Sequence, residues 1–373
     1  MTKPIYLDYA AATPLDERVL QAMQPYFSTD FYNPAATYLA AQDTHKAVEA
    51  ARSRVAVLLG ARPSEVLFLS GATAANHYAL DTVMKRYPGK KLLASAVEHP
   101  SVLRTVQEYG GHEIPVSADG IVDLDALRNL VDDDTVLVSV MYANNEMGAI
   151  QPLRDISQML AEVRDQRRKA GNTLPLYLHA DASQAANYLD LHVSRLGVDL
   201  MVLNGGKVYG PKQTAVLYAR AGLDLHSHGG TENVPGIIGC ATALELVQND
   251  RQSEMQRLQK LQQLFFDLLA ENIPDIIVNG SRKHRLPNNV HVTVPSQDNE
   301  RLLIALDEAG IMAAAGSACM ASSEEPSHVL KAMGISDADA QASLRFTMGR
   351  GTSERDIRTT VDVLSNLVAP HSA

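Results

Sequence analysis

The stretch that decides the fold is LYLHADASQ at residues 176–184, where an apolar run ends on Asp181 and small polar residues follow. A second run, DLMVL at residues 199–203, ends in the same way on Asn204, two glycines and Lys207. Nearly continuous apolar runs of this length are typical of strands that are buried on both faces of a parallel sheet. Ligands bind beyond the carboxyl ends of such strands. We therefore expect Asp181 and Lys207 to lie together at one edge of the sheet.

The same pattern, followed outward from these two runs, predicts more strands with amphipathic helices between them. The order strand, helix, strand predicts an α/β architecture with a mainly parallel sheet. The predicted strands cover residues 66–70, 91–95, 135–142, 175–180, 199–203 and 215–219, and the predicted helices include residues 44–59 and 153–170.

The pattern changes near residue 250, where shorter α+β units begin. A long helix is predicted over residues 253–272, and the strands and helices that follow are expected at 289–294, 299–309, 343–347 and 354–367. We therefore predict a large domain at residues 15–250 and a small domain formed by residues 1–14 and 251–373.

The composition bounds the possible functions. Of the 373 residues, 46% are apolar and 20% are charged, which is typical of a globular chain and not of a disordered one. The 43 acidic residues outnumber the 33 basic residues and give a formal net charge of −10. This balance argues against nucleic acid or an anionic membrane as the main partner. No apolar run approaches the roughly 18 residues of a membrane helix.

The two cysteines, Cys240 and Cys319, are too few for a disulfide framework, and the N-terminal stretch has no secretory pattern. We therefore expect a reduced protein of the cytoplasm. Cys240 follows apolar residues and is typical of a structural thiol. Cys319 lies in AGSACMASS at residues 315–323, a small and polar setting that is typical of an exposed loop. An exposed thiol in a reducing compartment is a candidate nucleophile.

Lys207 and Asp181 together indicate a particular chemistry. A lysine that glycines flank at the mouth of a sheet is able to form a Schiff base. Taken alone, such a lysine is more often a surface residue in a turn. The carboxylate of Asp181, one strand away, favours the chemical role, because pyridoxal phosphate needs such a partner at its pyridinium nitrogen.

Two further places suit the same cofactor. Ala72 and Thr73 open a helix after a strand, so that their N–H groups and the Thr73 hydroxyl are able to hold a phosphate. His99 is able to stack on an aromatic ring and to move protons. A lone histidine is more often structural, but beside Lys207 and Asp181 we favour an active-site role. We expect no metal.

These motifs resemble those of the cysteine desulfurases of the class V aminotransferase family, in the subgroup that serves iron–sulfur cluster assembly. The resemblance runs nearly end to end, from IYLDY at residues 5–9 to RFTMGR at residues 345–350. Between them it rests on SGAT at 70–73, EH at 98–99, NNEMG at 144–148, DASQ at 181–184, KVYGPK at 207–212, GSAC at 316–319 and PSHVL at 326–330.

The resemblance implies a fold, a reaction and partners. The fold is that of the fold type I pyridoxal phosphate-dependent transferases, in which a large domain with a mainly parallel seven-stranded sheet joins a smaller α+β domain. The reaction converts L-cysteine to L-alanine and passes the sulfur, through a persulfide on Cys319, to a sulfur acceptor or an iron–sulfur scaffold protein. The enzyme is implied to be a homodimer.

The resemblance also implies a role for each matching residue. Lys207 binds the cofactor and moves the proton of the substrate Cα, Cys319 attacks the substrate sulfur, and His99 stacks on the cofactor ring. The remaining implied contacts are Asp181 at the pyridine nitrogen, Gln184 and Asn145 near the phenolic oxygen, Ala72, Thr73 and Asn204 at the phosphate, Thr231 at the phosphate of the other subunit, and Asn33 and Arg345 at the substrate carboxylate, which an arginine fork suits.

The chain departs from the family pattern around the cofactor and the substrate. Asn204 and Gly206 stand where relatives have a serine and a histidine that touch the phosphate. A stretch with two arginines is skipped before Thr231, and Ala35 and Ala36 stand among positions where relatives have serines and a histidine. Two other functions therefore stay open: an interaction protein that has lost catalysis, and an enzyme for another amino acid such as selenocysteine.

Overall fold

The computed structural model describes residues 4–223, 225, 230–316 and 326–369. Strands and helices alternate along the chain. The strands are β1 (Ile5–Tyr6), β2 (Val66–Leu69), β3 (Lys91–Ser95), β4 (His112–Ile114), β5 (Thr135–Ser139), β6 (Tyr177–Asp181), β7 (Leu200–Asn204), β8 (Ala215–Ala219), β9 (Ile277–Val278), β10 (Asn289–Thr293), β11 (Ile311–Met312) and β12 (Ser343–Thr347). The helices are α1 (Glu17–Met23), α2 (Pro25–Ser28), α3 (Leu39–Leu59), α4 (Ala72–Arg86), α5 (Pro100–Glu108), α6 (Leu124–Leu130), α7 (Leu153–Lys169), α8 (Val193–Leu196), α9 (Val234–Asn272), α10 (Asn299–Glu308), α11 (His328–Ala332), α12 (Asp337–Gln341) and α13 (Glu354–Val368).

A seven-stranded sheet forms the centre of the fold, with the strand order β2-β8-β7-β6-β5-β3-β4. Strand β8 runs antiparallel to both of its neighbours, and the other pairs of the sheet are parallel. Asp181 of β6 lies opposite Val202 of β7, so that these two strands end side by side. The predicted α/β fold with a mainly parallel sheet is confirmed.

The strand predictions for this sheet are confirmed to within three residues at each end. Strand β4 was not predicted, because two of its three residues are exposed and no apolar run marks it. All five residues of β8 are buried, as in the parallel strands at the centre. An apolar run therefore reports burial on both faces and does not report the direction of the strand.

Helix α9 begins earlier than the pattern predicts, at Val234 and not at residue 253. The side chain of Asn233 caps it by accepting a hydrogen bond from the backbone N–H of Gly236 at 3.1 Å. The first turns are rich in small and apolar residues that are buried on nearly every side, so that no amphipathic period marks them. None of the described helices, α9 included, is long and apolar enough to span a bilayer.

Two smaller sheets lie outside the central one. Strands β12, β10 and β9 form an antiparallel sheet, and β1 pairs in parallel with β11. Strand β1 thereby joins the N-terminal segment to the C-terminal part of the chain. Helix α9 runs without a break through residue 250, so the predicted domain boundary lies inside a helix. The division into residues 15–250 and residues 1–14 with 251–373 stays a prediction.

Candidate active site

A cavity of about 230 Å³ opens where β6 and β7 end, at the edge of the sheet that the sequence singled out. It brings together residues from the ends of β3, β5, β6 and β7, from the N-terminus of α4, from the segment after β1 and from β12. Its wall includes nine of the predicted site residues. The lining residues are Ala10, Ala11, Ala72, Thr73, His99, Ser101, Met141, Ala143, Asn145, Asp181, Ser183, Gln184, Asn204, Lys207 and Arg345.

Two predicted site residues that the structure describes, Asn33 and Thr231, do not line this cavity. Asn33 and Thr231 are exposed to solvent. The side-chain oxygen of Asn33 accepts a hydrogen bond from the backbone N–H of Ala35 at 3.0 Å, so it shapes its own turn. Cys319 lies outside the described residues. The roles assigned to these three residues stay predictions.

A larger cavity of about 390 Å³ lies at the opposite edge of the sheet, where β6 and β7 begin. Its principal charges are already paired. Asp199 is buried and accepts hydrogen bonds from Arg164 and Arg220, each at 2.9 Å. None of the predicted site residues lines this cavity. The smaller cavity is therefore the candidate active site.

Lys207 reaches the cavity from a 3₁₀ turn, Gly205–Lys207, that follows β7 directly. The turn passes so close to its neighbours that a Cβ on Gly205 would lie 2.1 Å from Thr214 Oγ1, so only glycine fits there. Lys207 Nζ donates hydrogen bonds to the carbonyl oxygens of Ala10 and Ala11, both at 2.6 Å. The segment after β1 thus holds the ammonium group at the cavity wall.

Asp181 ends β6 and is 6% exposed. Its Oδ2 accepts a hydrogen bond from Asn76 Nδ2 at 2.7 Å, and its Oδ1 accepts one from the backbone N–H of Ser183 at 2.9 Å. Both donors are neutral groups that fix the orientation of the carboxylate and leave it able to pair with a cationic ligand. Asn76, which lies on α4, was not predicted. The sequence did contain a signal for Asn76, because it is a polar residue on a helix face that is otherwise formed by buried apolar residues.

His99 caps the N-terminus of α5. Its Nδ1 accepts a hydrogen bond from the backbone N–H of Ser101 at 3.1 Å, which places the proton of the neutral ring on Nε2. Burial lowers the pKa of His99; the charge of Asp181 opposes this shift and the charge of Lys207 adds to it. The ring is therefore neutral at pH 7 and is held at the cavity wall by the start of its own helix.

Two buried titratable groups lie beside Asp181. Glu98 is fully buried, and its Oε1 accepts a hydrogen bond from the backbone N–H of Met141, while its Oε2 has no partner among the described residues. Burial raises the pKa of Glu98 well above its usual range, and the charge of Asp181 raises it further. Burial also lowers the pKa of His179 to about 4. Burial therefore keeps His179 neutral at pH 7 and favours the protonated form of Glu98.

The end of the cavity at the N-terminus of α4 is lined by Ala72 and Thr73. Gly71 precedes the helix with φ of +124°, a conformation that side chains disfavour. The first N–H groups of a helix lack intrahelical partners and carry partial positive charge, which suits an anion. Asn204 faces the same end, but its Oδ1 already accepts a hydrogen bond from the backbone N–H of Gly206 at 3.0 Å.

Arg345 closes the cavity from β12 and is 1% exposed. Its Nη2 forms an ion pair with Asp8 Oδ1 at 2.7 Å, and its Nη1 donates to the carbonyl oxygen of Asn145 at 3.0 Å. Its Nε has no hydrogen-bond partner among the described residues. Gln184 Nε2 is likewise bonded within the wall, to the carbonyl oxygen of Ala10 at 3.0 Å. The guanidinium is thus preorganised and retains donors for a carboxylate.

This set of groups fits pyridoxal phosphate. A lysine amine, an oriented carboxylate and a helix N-terminus are the three partners that the aldehyde, the pyridine nitrogen and the phosphate of this cofactor require. Ser183 Oγ, at the cavity wall, is buried and has no hydrogen-bond partner among the described residues. A polar ligand in the cavity would satisfy it.

The sequence matches a family model for class V aminotransferases over residues 5–225 and 220–359. Among curated proteins, the chain is 38% identical over 386 residues to a cysteine desulfurase IscS of Dictyoglomus turgidum, with 99% of this chain and 95% of that protein aligned. It is 37% identical over 384 residues to a cysteine desulfurase IscS of Methanosarcina thermophila, with 98% and 92% aligned.

Solved structures give the same picture. A NifS-like protein superposes with a TM-score of 0.88 at 27% identity, covering 98% of this chain and 99% of that one. A structure described as SspA in complex with cysteine superposes with a TM-score of 0.78 at 30% identity, covering 92% and 98%.

Proposed function

The chain belongs to the class V aminotransferase family and, within it, to the cysteine desulfurases, and we propose that it converts L-cysteine to L-alanine and transfers the sulfur to an acceptor protein. The observation that carries the proposal is the meeting of Lys207, Asp181 and Arg345 in one cavity at the carboxyl ends of the strands. The amine, the carboxylate and the guanidinium provide a base, a partner for the cofactor ring and a receptor for the substrate carboxylate.

Bound pyridoxal phosphate would supply an electron sink for the charge that develops at the substrate Cα. The chain's own residues prepare that step. Asp181 would present an oriented carboxylate to the ring nitrogen, and His179 beside it, which burial keeps neutral, adds no competing charge. Lys207 lies at the other side of the cavity wall, where its amine removes the Cα proton once the amine is deprotonated.

Arg345 orients the substrate. Asp8 and the carbonyl of Asn145 occupy one donor on each arm of its fork and fix the plane of the guanidinium. The donors that remain bind the substrate carboxylate, and burial of the arginine strengthens this interaction because little water competes for it.

Cys319 carries the sulfur in this proposal, on the strength of its position in the sequence. Its thiolate attacks the sulfur of the substrate, and the bond between that sulfur and Cβ breaks. The electron pair of the broken bond stays on the carbon, which takes up a proton and becomes the methyl group of alanine. The sulfur leaves on Cys319 as a persulfide, which an acceptor or an iron–sulfur scaffold protein receives.

We propose that the enzyme is a homodimer. Large apolar side chains from α2 to the start of α3 are exposed in the single chain, most strongly Phe27, Phe31, Tyr38 and Leu39. Clusters of this kind mark protein interfaces. Asn33 lies within the same segment, and both Asn33 and Thr231 are exposed and absent from the cavity wall of their own chain. A second subunit would cover the apolar patch, and Asn33 and Thr231 would then be able to contribute to a cavity of the partner subunit.

The compartment and the absence of nucleic acid and membrane partners remain part of the proposal. The two cysteines favour a reducing cytoplasm, and the acidic net charge disfavours polyanions as partners. The alternative is an interaction protein without catalysis. Gly206 favours this alternative, because glycine offers no side chain to a cofactor phosphate. The complete set of groups around Asp181 favours the enzyme.

A visible absorption spectrum of the purified protein, recorded before and after L-cysteine is added, tests the proposal. We expect an absorption band of the lysine-bound cofactor that changes on addition, followed by alanine and a persulfide on Cys319. Protein that takes up no cofactor at saturating pyridoxal phosphate and forms no alanine would support the interaction protein. Competition between cysteine and selenocysteine would identify the preferred substrate.

A further inference from the structure

Ser101 connects two groups of the candidate active site that come from different elements. Its Oγ lies 2.9 Å from His99 Nδ1 and accepts a hydrogen bond from Asn76 Nδ2 at 3.0 Å. Asn76 in turn donates to Asp181 Oδ2 at 2.7 Å. We propose that Ser101 is a positioning residue that holds the His99 ring, with its proton on Nε2, at the end of a hydrogen-bond chain that begins at Asp181. The role of this ring in catalysis rests on the proposed function.

The direction of each hydrogen bond in this chain follows from the protons that are present. The amide nitrogen of Asn76 carries two protons, and it donates one to Asp181 and one to Ser101. A serine hydroxyl has a single proton. Since the oxygen of Ser101 accepts from Asn76, its own proton is left for His99 Nδ1. The backbone N–H of Ser101 donates to the same nitrogen at 3.1 Å, so Nδ1 accepts two hydrogen bonds and the ring proton lies on Nε2.

Burial makes this chain of hydrogen bonds rigid. Asn76 is fully buried, and Ser101 is 8% exposed. A rotation of the serine hydroxyl would leave Nδ1 with one donor fewer, in a place where little water is able to replace it. Ser101, His99 and Asp181 all line the cavity, so the chain of hydrogen bonds lies in its wall.

The charges around His99 act on the protonation of the ring. Burial is the largest cause and lowers the pKa of His99, and Lys207 and His328 lower it as well. The charges of Asp181 and Glu146 raise it. An added proton would have to bind Nδ1, at which two donors already point. Loss of the serine hydroxyl would remove one of these donors and would therefore raise the pKa of the ring.

A second pair of a histidine and a serine provides a matched control. Ser194 Oγ lies 3.0 Å from His192 Nδ1, and these two residues begin α8 as His99 and Ser101 begin α5. Ser194 is exposed, and neither it nor His192 lines the cavity. Ser194→Ala therefore removes the same kind of contact, at the same position in a helix, away from the candidate site.

NMR spectra of the full chain labelled with 15N-histidine test the proposal, because they report which ring nitrogen carries the proton and at which pH the ring titrates. The protein is measured with and without pyridoxal phosphate, and His99→Gln and His192→Gln identify the signals of the two rings. The variants are Ser101→Ala, which removes the hydroxyl, Ser101→Thr, which retains it, and Ser194→Ala. Turnover of L-cysteine is measured on the same proteins.

We expect Ser101→Ala to raise the midpoint of the His99 titration by about 0.4–1 pH unit, which corresponds to the loss of one hydrogen bond. Turnover should fall about two- to tenfold. Ser101→Thr should restore both values, and Ser194→Ala should change only the signal of His192. Asn76→Ala should shift the His99 signal less in Ser101→Ala than in the parent, because its effect passes through the hydroxyl.

Several results would overturn the inference. These are a His99 proton on Nδ1 in the parent, a titration that Ser101→Ala leaves unchanged, and an equal shift by Asn76→Ala with and without the hydroxyl. Lower turnover without any change in the His99 signal would show a merely structural role. Should Ser101→Thr fail to fold, Ser101→Ala against Ser194→Ala decides. A parent that forms no alanine from L-cysteine would refute the proposed function alone, because the NMR signals are recorded without substrate.

Discussion

The active-site cavity has two ends that are built in different ways. We call the part at Asp181 and His99 the ring end, and the part at the start of α4 and Asn204 the phosphate end, after the groups of the cofactor that each would hold. At the ring end, side chains are bonded to one another: Asn76 and the backbone of Ser183 hold Asp181, and Ser101 holds both Asn76 and His99. At the phosphate end, the main-chain N–H groups at the start of α4 face the cavity, and Asn204 is engaged by its own turn.

The difference follows from what each end has to do. The ring end must place one charge at one atom, and this requires donors with fixed directions. The phosphate end must hold a dianion, for which the partial positive charge of a helix N-terminus suffices in part. We therefore expect the phosphate end to tolerate changes such as Asn204 and Gly206 at a cost in cofactor affinity, and the ring end to tolerate few changes. Four predictions sharpen or break this comparison.

Replacement of Lys207 has the largest expected effect. Lys207→Ala should lower turnover by roughly a hundred- to ten-thousandfold, the range that general-base catalysis contributes, and should remove the borohydride-reducible bond between cofactor and protein. Lys207→Arg is the matched control, because it keeps the positive charge near Ala10 and Ala11 but is always protonated. Both variants should be inactive. A reducible cofactor adduct at another lysine, found by peptide mass analysis, would refute the assignment.

Cys319→Ser should abolish sulfur transfer while the cofactor end of the reaction survives. The spectrum should still change when L-cysteine is added, because that change needs the groups around Lys207 and Asp181 and not the thiol. Cys240→Ala is the control: Cys240 is fully buried, and burial raises the pKa of its thiol to about 12, so it is no nucleophile. Persulfide delivered by the Ser variant at the parent rate would exclude Cys319 as the carrier.

Asn76→Ala should lower turnover about ten- to a hundredfold, because a buried carboxylate loses a charge-assisted hydrogen bond worth roughly 1.5–3 kcal/mol. The control is Asn279→Ala, which removes another buried amide, one that donates to Thr293 in the small sheet at 2.8 Å. We expect the Asn279 variant to lose stability to denaturant and to keep its cofactor spectrum. If Asn76→Ala and Asn279→Ala lower turnover by the same factor, the side-chain network at the ring end has only a structural role.

Gly206→His should have the smallest effect, a gain in cofactor affinity of about tenfold at most. Space is present, since a Cβ on Gly206 would meet Asn204 Oδ1 and Lys212 Cγ at 3.4 and 3.6 Å. Gly206→Ala adds the Cβ without the imidazole and is the control. Equilibrium dialysis against pyridoxal phosphate measures the affinity of each protein. Equal affinity in all three would mean that another group already satisfies the phosphate.

The candidate site could be predicted in part because of where its residues stand in the sequence. Asp181 and Lys207 each follow an apolar run, and the ends of parallel strands meet at one edge of a sheet. Asn76 carries no such mark, and Glu98, although it lies in the EH motif at residues 98–99, was assigned no role from the sequence. Asn76 lies within a helix of ordinary composition, and its importance depends on a partner 105 residues away in the chain.

The sequence by itself determined which segments become buried strands and which polar groups follow them, because burial on both faces requires unbroken apolar runs. Only the tertiary structure decided the antiparallel direction of β8, the unbroken course of α9 through residue 250, and the pairing of Asp181 with Asn76 and of Glu146 with Ser327. The physical reason is that hydrogen bonds of this kind depend on the distance between atoms in space. That distance is set by the order and packing of distant elements, which no local pattern of residues records.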